Sequence, residues 1–503
     1  MSELRRGASA LHFASVFYVI GLILACTSIG LLLPLITAFV YNEPQGQFAF
    51  GVTIATSLIT GLGLFFSLKP HFNPRSLRQR EACFIVTFAW ILIAGLAAMP
   101  YMLTGSFEAT GPMAWLEIFT NSYFEALSGL TTTGASVVND IPGLSKSILL
   151  WRSESQWLGG MGIILLSIAI LPLLGVGGMQ LFKAEVPGIS VDKLSPRISD
   201  TAKSLWLLYV LLTFIEFVLL SFQMSMFDAL CHSFSTLSTG GFSPMGASVE
   251  EYGSVYVDLV ITAFMFLGGI NFVLIYKLFK GKLRALWADL EFRVYFTMVL
   301  VVLGLITGNL LHEGIYTSVG EAARYAVFQI VSVATTTGFS SQNWEKWPIF
   351  SQTLLLTLMI GGGMAGSTAG GAKLIRLTIL FKYAWRELLT IIHPRAVISI
   401  KIGDTPISRD VLRAVLAFFV IMSLLLITGT LALTGMGIDF STSFSAVLTS
   451  VSNVGPGINL VGPGHNFEAL PIAAKWVLLF CMLLGRLEIY TAFVLLVPDF
   501  WRK

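Results

Sequence analysis

Charge is scarce in this chain. Only 12% of its 503 residues are Asp, Glu, Lys or Arg, about half of what a water-soluble surface requires. Hydrophobic residues make up 55%, and the mean hydropathy is +0.80, so lipid is the main solvent. The formal net charge of +3, with no basic run interleaved with aromatics, gives no footprint for nucleic acid. Cysteine is equally sparse. Cys26, Cys83, Cys231 and Cys481 lie in or beside apolar stretches without paired spacing, which points to neither a disulfide nor a metal site. Outside the spans no phosphate-binding glycine loop, dinucleotide fingerprint or metalloprotease motif occurs. His232 stands alone and reads as a packing residue, and acids and histidines do not cluster at membrane depth, so enzyme chemistry is not expected.

Long apolar runs are plentiful. A helix crosses the hydrocarbon core with about 20 residues. Spans are expected near 13–40, 48–68, 82–103, 148–174, 203–222, 255–276, 292–311, 349–390 (interrupted), 408–434 and 473–497, about ten crossings. Arg5 and Arg6 before the first run, and Ile23-Leu24-Ala25-Cys26 within it, imitate a cleaved leader. The run continues to Val40, far beyond a leader's apolar core of about 7–15 residues, so an uncleaved span is expected. Lys and Arg concentrate in four loops: Lys69 to Arg80, Lys183 to Lys203, Lys277 to Arg293, and Lys373 to Arg413. These loops and both termini are therefore expected on the cytoplasmic side.

The opposite loops carry a repeat. Four short semi-apolar segments end in Leu130-Thr131-Thr132-Thr133-Gly134, Ser238-Thr239-Gly240-Gly241-Phe242, Thr335-Thr336-Thr337-Gly338-Phe339 and Ser452-Asn453-Val454-Gly455-Pro456-Gly457. They are too short to span and read as re-entrant helices. With Gly134, Gly240, Gly338 and Gly455 as reference points, each segment sits between two spans. A unit with two crossings keeps one orientation, so four copies can surround an axis along the membrane normal. Inverted repeats need an odd count. One Thr-Thr-Thr-Gly would be only a polar interfacial loop; four in the same place are a pattern.

The pattern suits a cation. A potassium ion entering the membrane must exchange water for other oxygens, and rings of backbone carbonyls can supply them. Glycine permits the positive φ that turns such carbonyls inward, and the negative C-terminal end of each short helix favours a cation. Ser128, Ser332 and Thr449 precede their glycine by six residues, and Phe234 breaks that series.

These loops resemble the four filter loops of the Trk/Ktr/HKT superfamily of cation transporters, in particular its TrkH/TrkG branch. Trp157-Leu158-Gly159-Gly160-Met161-Gly162 and Gly485-Arg486-Leu487-Glu488 match that family's first and last post-filter helices, and the similarity covers essentially the whole chain. The resemblance implies an all-α membrane protein with two extra N-terminal helices (1–75) and four parallel helix–pore loop–helix repeats (76–185, 186–285, 286–395 and 396–503) around a pseudo-fourfold pore. It implies gated potassium uptake across the bacterial inner membrane, a sodium- or proton-coupled potassium symporter being the alternative. A sodium-selective branch is understood to carry serine at the first filter position, so glycine in all four loops favours potassium, although the fourth loop departs from Thr-Thr-Gly. The expected ion-binding residues are Thr132, Thr133, Gly134, Ser238, Thr239, Gly240, Thr336, Thr337, Gly338, Asn453, Val454 and Gly455, with potassium as cargo and no organic cofactor. A homodimer and a cytoplasmic nucleotide-binding subunit of the TrkA type are implied as partners besides membrane lipid.

Three features stand below the loops. The run from Gly361, Gly362 and Gly363 through Gly366 to Gly370 and Gly371 is too glycine-rich for a stable helix. Irregular backbone at this depth lines a cavity or is buried in protein, so the run is expected to be a mobile gate, the other reading being small-residue helix packing. Arg486 lies in mid-span by sequence, where a charge costs at least about 2.5–3.5 kcal/mol and must face a polar interior. It is expected beside the pore as a barrier to cations, with Glu488 facing elsewhere. Lys373 reads as an interfacial anchor.

Overall fold

The computed structural model describes residues 11–73, 77–169, 198–396, 398–403 and 405–502. The expected boundaries at 75/76 and 185/186, the termini with Arg5 and Arg6, and Lys183, Lys193 and Arg197 lie outside the described residues. The chain is an all-α membrane protein. Strand among the described residues is confined to one two-residue hairpin, Lys401–Ile402 with Thr405–Pro406.

Helices α1 (Phe13–Gly30) and α2 (Leu32–Val40) make one 28-residue span, and α3 (Pro44–Leu68) returns beside it. Gly21 and Gly61 allow the close approach of α1 and α3: a Cβ on Gly61 would sit 2.8 Å from the Gly21 carbonyl oxygen.

Four units follow. The first is α4 (Gln79–Leu103), the short α5 (Ala114–Leu130) and α6 (Lys146–Ala169). The second is α7 (Ile198–Leu220), the short α8 (Met226–Leu237) and the pair α9 (Val255–Gly268) and α10 (Phe272–Phe279). The third is α11 (Leu290–His312), the short α12 (Val319–Ala334) and the pair α13 (Ile349–Gly361) and α14 (Leu374–Ile392). The fourth is α15 (Arg409–Gly435), the short α16 (Phe440–Ser452) and α17 (Ile472–Arg486), with α18 (Tyr490–Phe493) after it. Local chemistry starts the short helices: Ser225 Oγ accepts the Asp228 N–H at the head of α8, and Asp439 accepts the Thr442 N–H at the head of α16.

The packing is cyclic. α6 lies on α8, α9 on α12, α13 on α16 and α17 on α5. Each unit's outgoing helix thus supports the next unit's short helix, and the fourth closes on the first.

Among the described residues, six helices are long and apolar enough to cross a membrane, and two bent pairs bring the number to eight. The expectation of about ten also counted α6, which carries Arg152 and Glu154, and the α13–α14 pair, whose first helix has 13 residues. The spans expected as continuous at 255–276 and 473–497 are both broken. α9 and α10 meet at 108°, and α17 meets the Tyr490–Leu496 segment at 115°. Adjacent glycines, Gly268 and Gly269, precede the first bend, and Asn271 restarts the helix by accepting the Val273 N–H at 2.8 Å. At the second bend Glu488 and Ile489 both take φ of +57°, which a helix cannot accommodate.

Candidate functional site: a ring of four loops

The loops that follow α5, α8, α12 and α16 share one backbone conformation. Positive φ recurs two residues apart: at Thr132 and Gly134, at Thr239 and Gly241, at Thr336 and Gly338, and at Asn453 and Gly455. The hydrogen bonds keep the same register. The N–H groups of Thr133, Gly240, Thr337 and Val454 donate to the carbonyls of Ser128, Ser235, Ser332 and Thr449.

This register corrects the second loop. Gly241, not Gly240, is the partner of Gly134, Gly338 and Gly455, and Ser238 falls one place before the matching residues, where its hydroxyl donates back to the Phe234 carbonyl at 2.7 Å. The small-hydroxyl series is then unbroken, because Ser235 rather than Phe234 stands six residues before the glycine. Two adjacent glycines concealed the register: sequence alone cannot say which of them takes positive φ.

The four loops close on one another. A Cβ on Gly134 would run into the carbonyl oxygen of Gly240, one on Gly241 into that of Thr337, one on Gly338 into that of Val454, and one on Gly455 would come within 2.7 Å of that of Thr133. Each glycine therefore lies against the carbonyl of its neighbour, in cyclic order. Gly134, Gly241, Gly338 and Gly455 together line one cavity of about 100 Å³. The residues preceding the glycines are buried. Thr131 and Thr133 share a 2.7 Å hydroxyl contact, as do Thr335 and Thr337, and Asn453 Nδ2 donates to Thr133 Oγ1 at 2.9 Å, joining the fourth loop to the first.

Side chains missed by sequence reasoning hold the ring from behind. Arg152 of α6, buried, pairs with Glu125 of α5 at 2.8 Å and donates to the Ser243 carbonyl and the Ser136 hydroxyl. The Glu125 carboxylate also accepts the Val137 N–H. Gln156, one turn further along α6, donates to the Gly240 carbonyl at 2.6 Å and accepts the Phe242 N–H at 3.0 Å. The available signal was Glu125 in the first short segment and the polar run Arg152-Ser153-Glu154-Ser155-Gln156 between apolar residues of the following span, groups that are expensive at membrane depth unless paired. His232 is a packing residue, with Nδ1 on the Asp228 carbonyl and Nε2 on the Ser243 hydroxyl.

Below the ring, residues 362–373 form an irregular segment between α13 and α14. It is anchored from three sides. The N–H groups of Met364 and Thr368 donate to the carbonyls of Gly269 and Gly268 at the bend of the second unit. Those of Ala365 and Ile375 donate to the Glu291 carboxylate of α11. The Gly370 N–H donates to the Thr336 hydroxyl at 2.6 Å, directly under the third loop.

Arg486 stands at the C-terminal end of α17, where the chain bends, rather than in the middle of a continuous helix. Its side chain is 2% exposed and donates to the carbonyls of Thr368, at 2.9 Å, and Gly159, at 3.0 Å. It therefore touches the segment expected as a gate. Glu488 pairs with Arg376 of α14 at 2.7 Å, so the fourth unit grips the exit of the irregular segment as well. Lys373 is no interfacial anchor: it is buried and donates to the Ala369 carbonyl, because its φ of +65° turns the chain inward ahead of α14.

Known proteins are similar to this chain. The TrkH family, described as cation transport proteins, matches residues 47–503. The chain is 40% identical to the Trk system potassium uptake protein TrkH of Salmonella typhimurium, over 98% of this chain and 100% of that protein. It is 34% identical to the Trk system potassium uptake protein TrkG of Escherichia coli, over 98% of this chain and 99% of that one. The crystal structure of the potassium transporter TrkH from Vibrio parahaemolyticus matches with a TM-score of 0.87 at 36% identity, covering 97% of this chain and all of that one.

Proposed function

Because this chain belongs to the TrkH family of cation transport proteins, we infer that it takes up potassium through the ring of four loops. The observation that carries this reading is the cyclic contact of Gly134, Gly241, Gly338 and Gly455 with their neighbours' carbonyls. Four loops in one backbone conformation offer a dehydrated cation a ring of backbone oxygens. The ion ligands are drawn from Thr132, Thr133, Gly134, Thr239, Gly240, Gly241, Thr336, Thr337, Gly338, Asn453, Val454 and Gly455, and Ser238 stands outside the set. The segment with Gly362, Gly363, Gly366, Gly370 and Gly371, tied by Arg486, is the gate. The chain crosses the bacterial inner membrane with both termini in the cytoplasm, as its Lys and Arg distribution supports. It acts as the membrane subunit of a Trk-type system, as a homodimer with a nucleotide-binding cytoplasmic subunit.

Isotope flux into proteoliposomes, with potassium and sodium in competition under imposed sodium and proton gradients, tests this function. Potassium uptake that persists without either gradient, and that sodium competes for poorly, supports a gated pore. Uptake that requires one of the gradients supports a coupled symporter instead.

A further inference from the structure

The four carbonyls of the ring are not equivalent. Thr133, Thr337 and Val454 carry side chains at the position before the glycine, whereas Gly240 carries none. The vacated volume belongs to Gln156: a Cβ on Gly240 would collide with the Gln156 amide carbon. From there Gln156 Nε2 donates to the Gly240 carbonyl at 2.6 Å, while Oε1 is fixed by the Phe242 N–H. Loop conformation is otherwise conserved around the ring, with φ of +55° at Thr239 and +77° at Gly241 against +52° and +76° at Thr132 and Gly134. The Gly240 oxygen thus keeps the orientation of its three counterparts and, among the described residues, is the one of the four with a hydrogen-bond donor on it.

We propose that Gln156 is a specificity-determining residue, whose amide weakens one of the four cation-facing oxygens and biases the ring toward larger, weakly hydrated cations. The proposal rests on the reading of the loops as a potassium filter. A donor on a carbonyl places positive partial charge beside the ion and diminishes what that oxygen offers it. Coulomb attraction grows as the ion–oxygen distance shrinks, so a small cation such as sodium loses more than potassium or rubidium when the oxygen field is reduced. The ring becomes three full ligands and one weak ligand. Gly240 and Gln156 act as a matched pair: glycine provides the room, and glutamine fills it with a donor.

Gln156→Met keeps length and bulk but has no donor. Sodium and potassium compete against labelled rubidium uptake into proteoliposomes containing the purified full chain. Sodium should compete relative to potassium roughly three- to tenfold better in Gln156→Met, the range corresponding to the loss of one hydrogen bond. The double variant Gln156→Ala/Gly240→Thr refills the space with the residue of the first and third loops. It should show the same shift, and it carries the test if Gln156→Met does not reach the membrane. An unchanged sodium-to-potassium ratio in a folded variant, or an equal loss of uptake for every cation, overturns the proposal. Gly134→Ser run in parallel separates two failures. If Gly134→Ser shifts the ratio and the Gln156 variants do not, the filter stands and Gln156 is structural. If neither shifts it, the filter reading itself fails.

Discussion

The Arg486 guanidinium donates to the Thr368 carbonyl at 2.9 Å, so the fourth unit holds the irregular segment of the third in place. A second donor on the same guanidinium reaches the Gly159 carbonyl of the first unit. A single side chain thereby couples three of the four units directly below the ring. Gln at 486 removes the charge and the planar fork that makes both contacts. Basal potassium flux through purified Arg486→Gln, without any cytoplasmic subunit, is expected to rise about tenfold, equivalent to about 1.4 kcal/mol taken off the closed-state barrier. Lys keeps the charge but lacks the fork, so Arg486→Lys is expected to conduct between parent and Arg486→Gln. Flux that falls equally in both variants would assign Arg486 to folding alone.

Glu291 anchors the same segment through the Ala365 and Ile375 N–H groups. Glutamine retains a carbonyl oxygen for those donors, so Glu291→Gln is expected to melt and conduct close to the parent. Glu291→Ala leaves two buried N–H groups unpaired, at about 1–3 kcal/mol each. A lower melting temperature in detergent together with higher basal flux is expected for it, and shortening the Gly361–Gly371 run is expected to raise flux in the same way. A loosened segment that conducts no faster than the parent would place the gate elsewhere.

The corrected register of the second loop can be read directly. A methyl on Gly241 meets the Thr337 carbonyl and must adopt φ of +77°, which L side chains disfavour. Gly241→Ala is therefore expected to lose potassium selectivity, and Gly134→Ala to lose it to a similar extent. The Ser238 hydroxyl faces back to Phe234, so Ser238→Ala should leave the sodium-to-potassium ratio unchanged. Competition uptake assays compare all three, and the opposite order would restore the Gly240 register.

Much of this site was legible in the sequence because its features are local. Four glycine-ended segments between apolar spans mark the loops, and the glycine run before Lys373 marks the broken helix. Features set by distant partners were not legible. The partner of Glu488, Arg376, lies 112 residues away, and that of Arg486 lies 118 away, so no helical spacing could pair them. The bends at Gly269 and Glu488 leave apolar composition unchanged, and hydropathy therefore read straight through both. Arg152 and Gln156 bound a polar run, Arg152-Ser153-Glu154-Ser155-Gln156, whose composition does not reveal what their side chains reach.

The Arg152–Glu125 pair is buried on both sides. Breaking such a pair from one side leaves an uncompensated charge, at about 3–5 kcal/mol. Arg152→Gln and Glu125→Gln are each expected to lower the melting temperature in detergent, and the double variant is expected to melt above the sum of the two losses. Additive losses would mean that the two groups do not act as a pair.

Anomalous diffraction from crystals soaked in rubidium or thallium addresses the central claim most directly. A heavy-cation peak is expected on the axis enclosed by the carbonyls of Thr133, Gly240, Thr337 and Val454, displaced by excess potassium and far less by equal sodium. Ordered cation density elsewhere in the molecule, with none inside that ring, would contradict it.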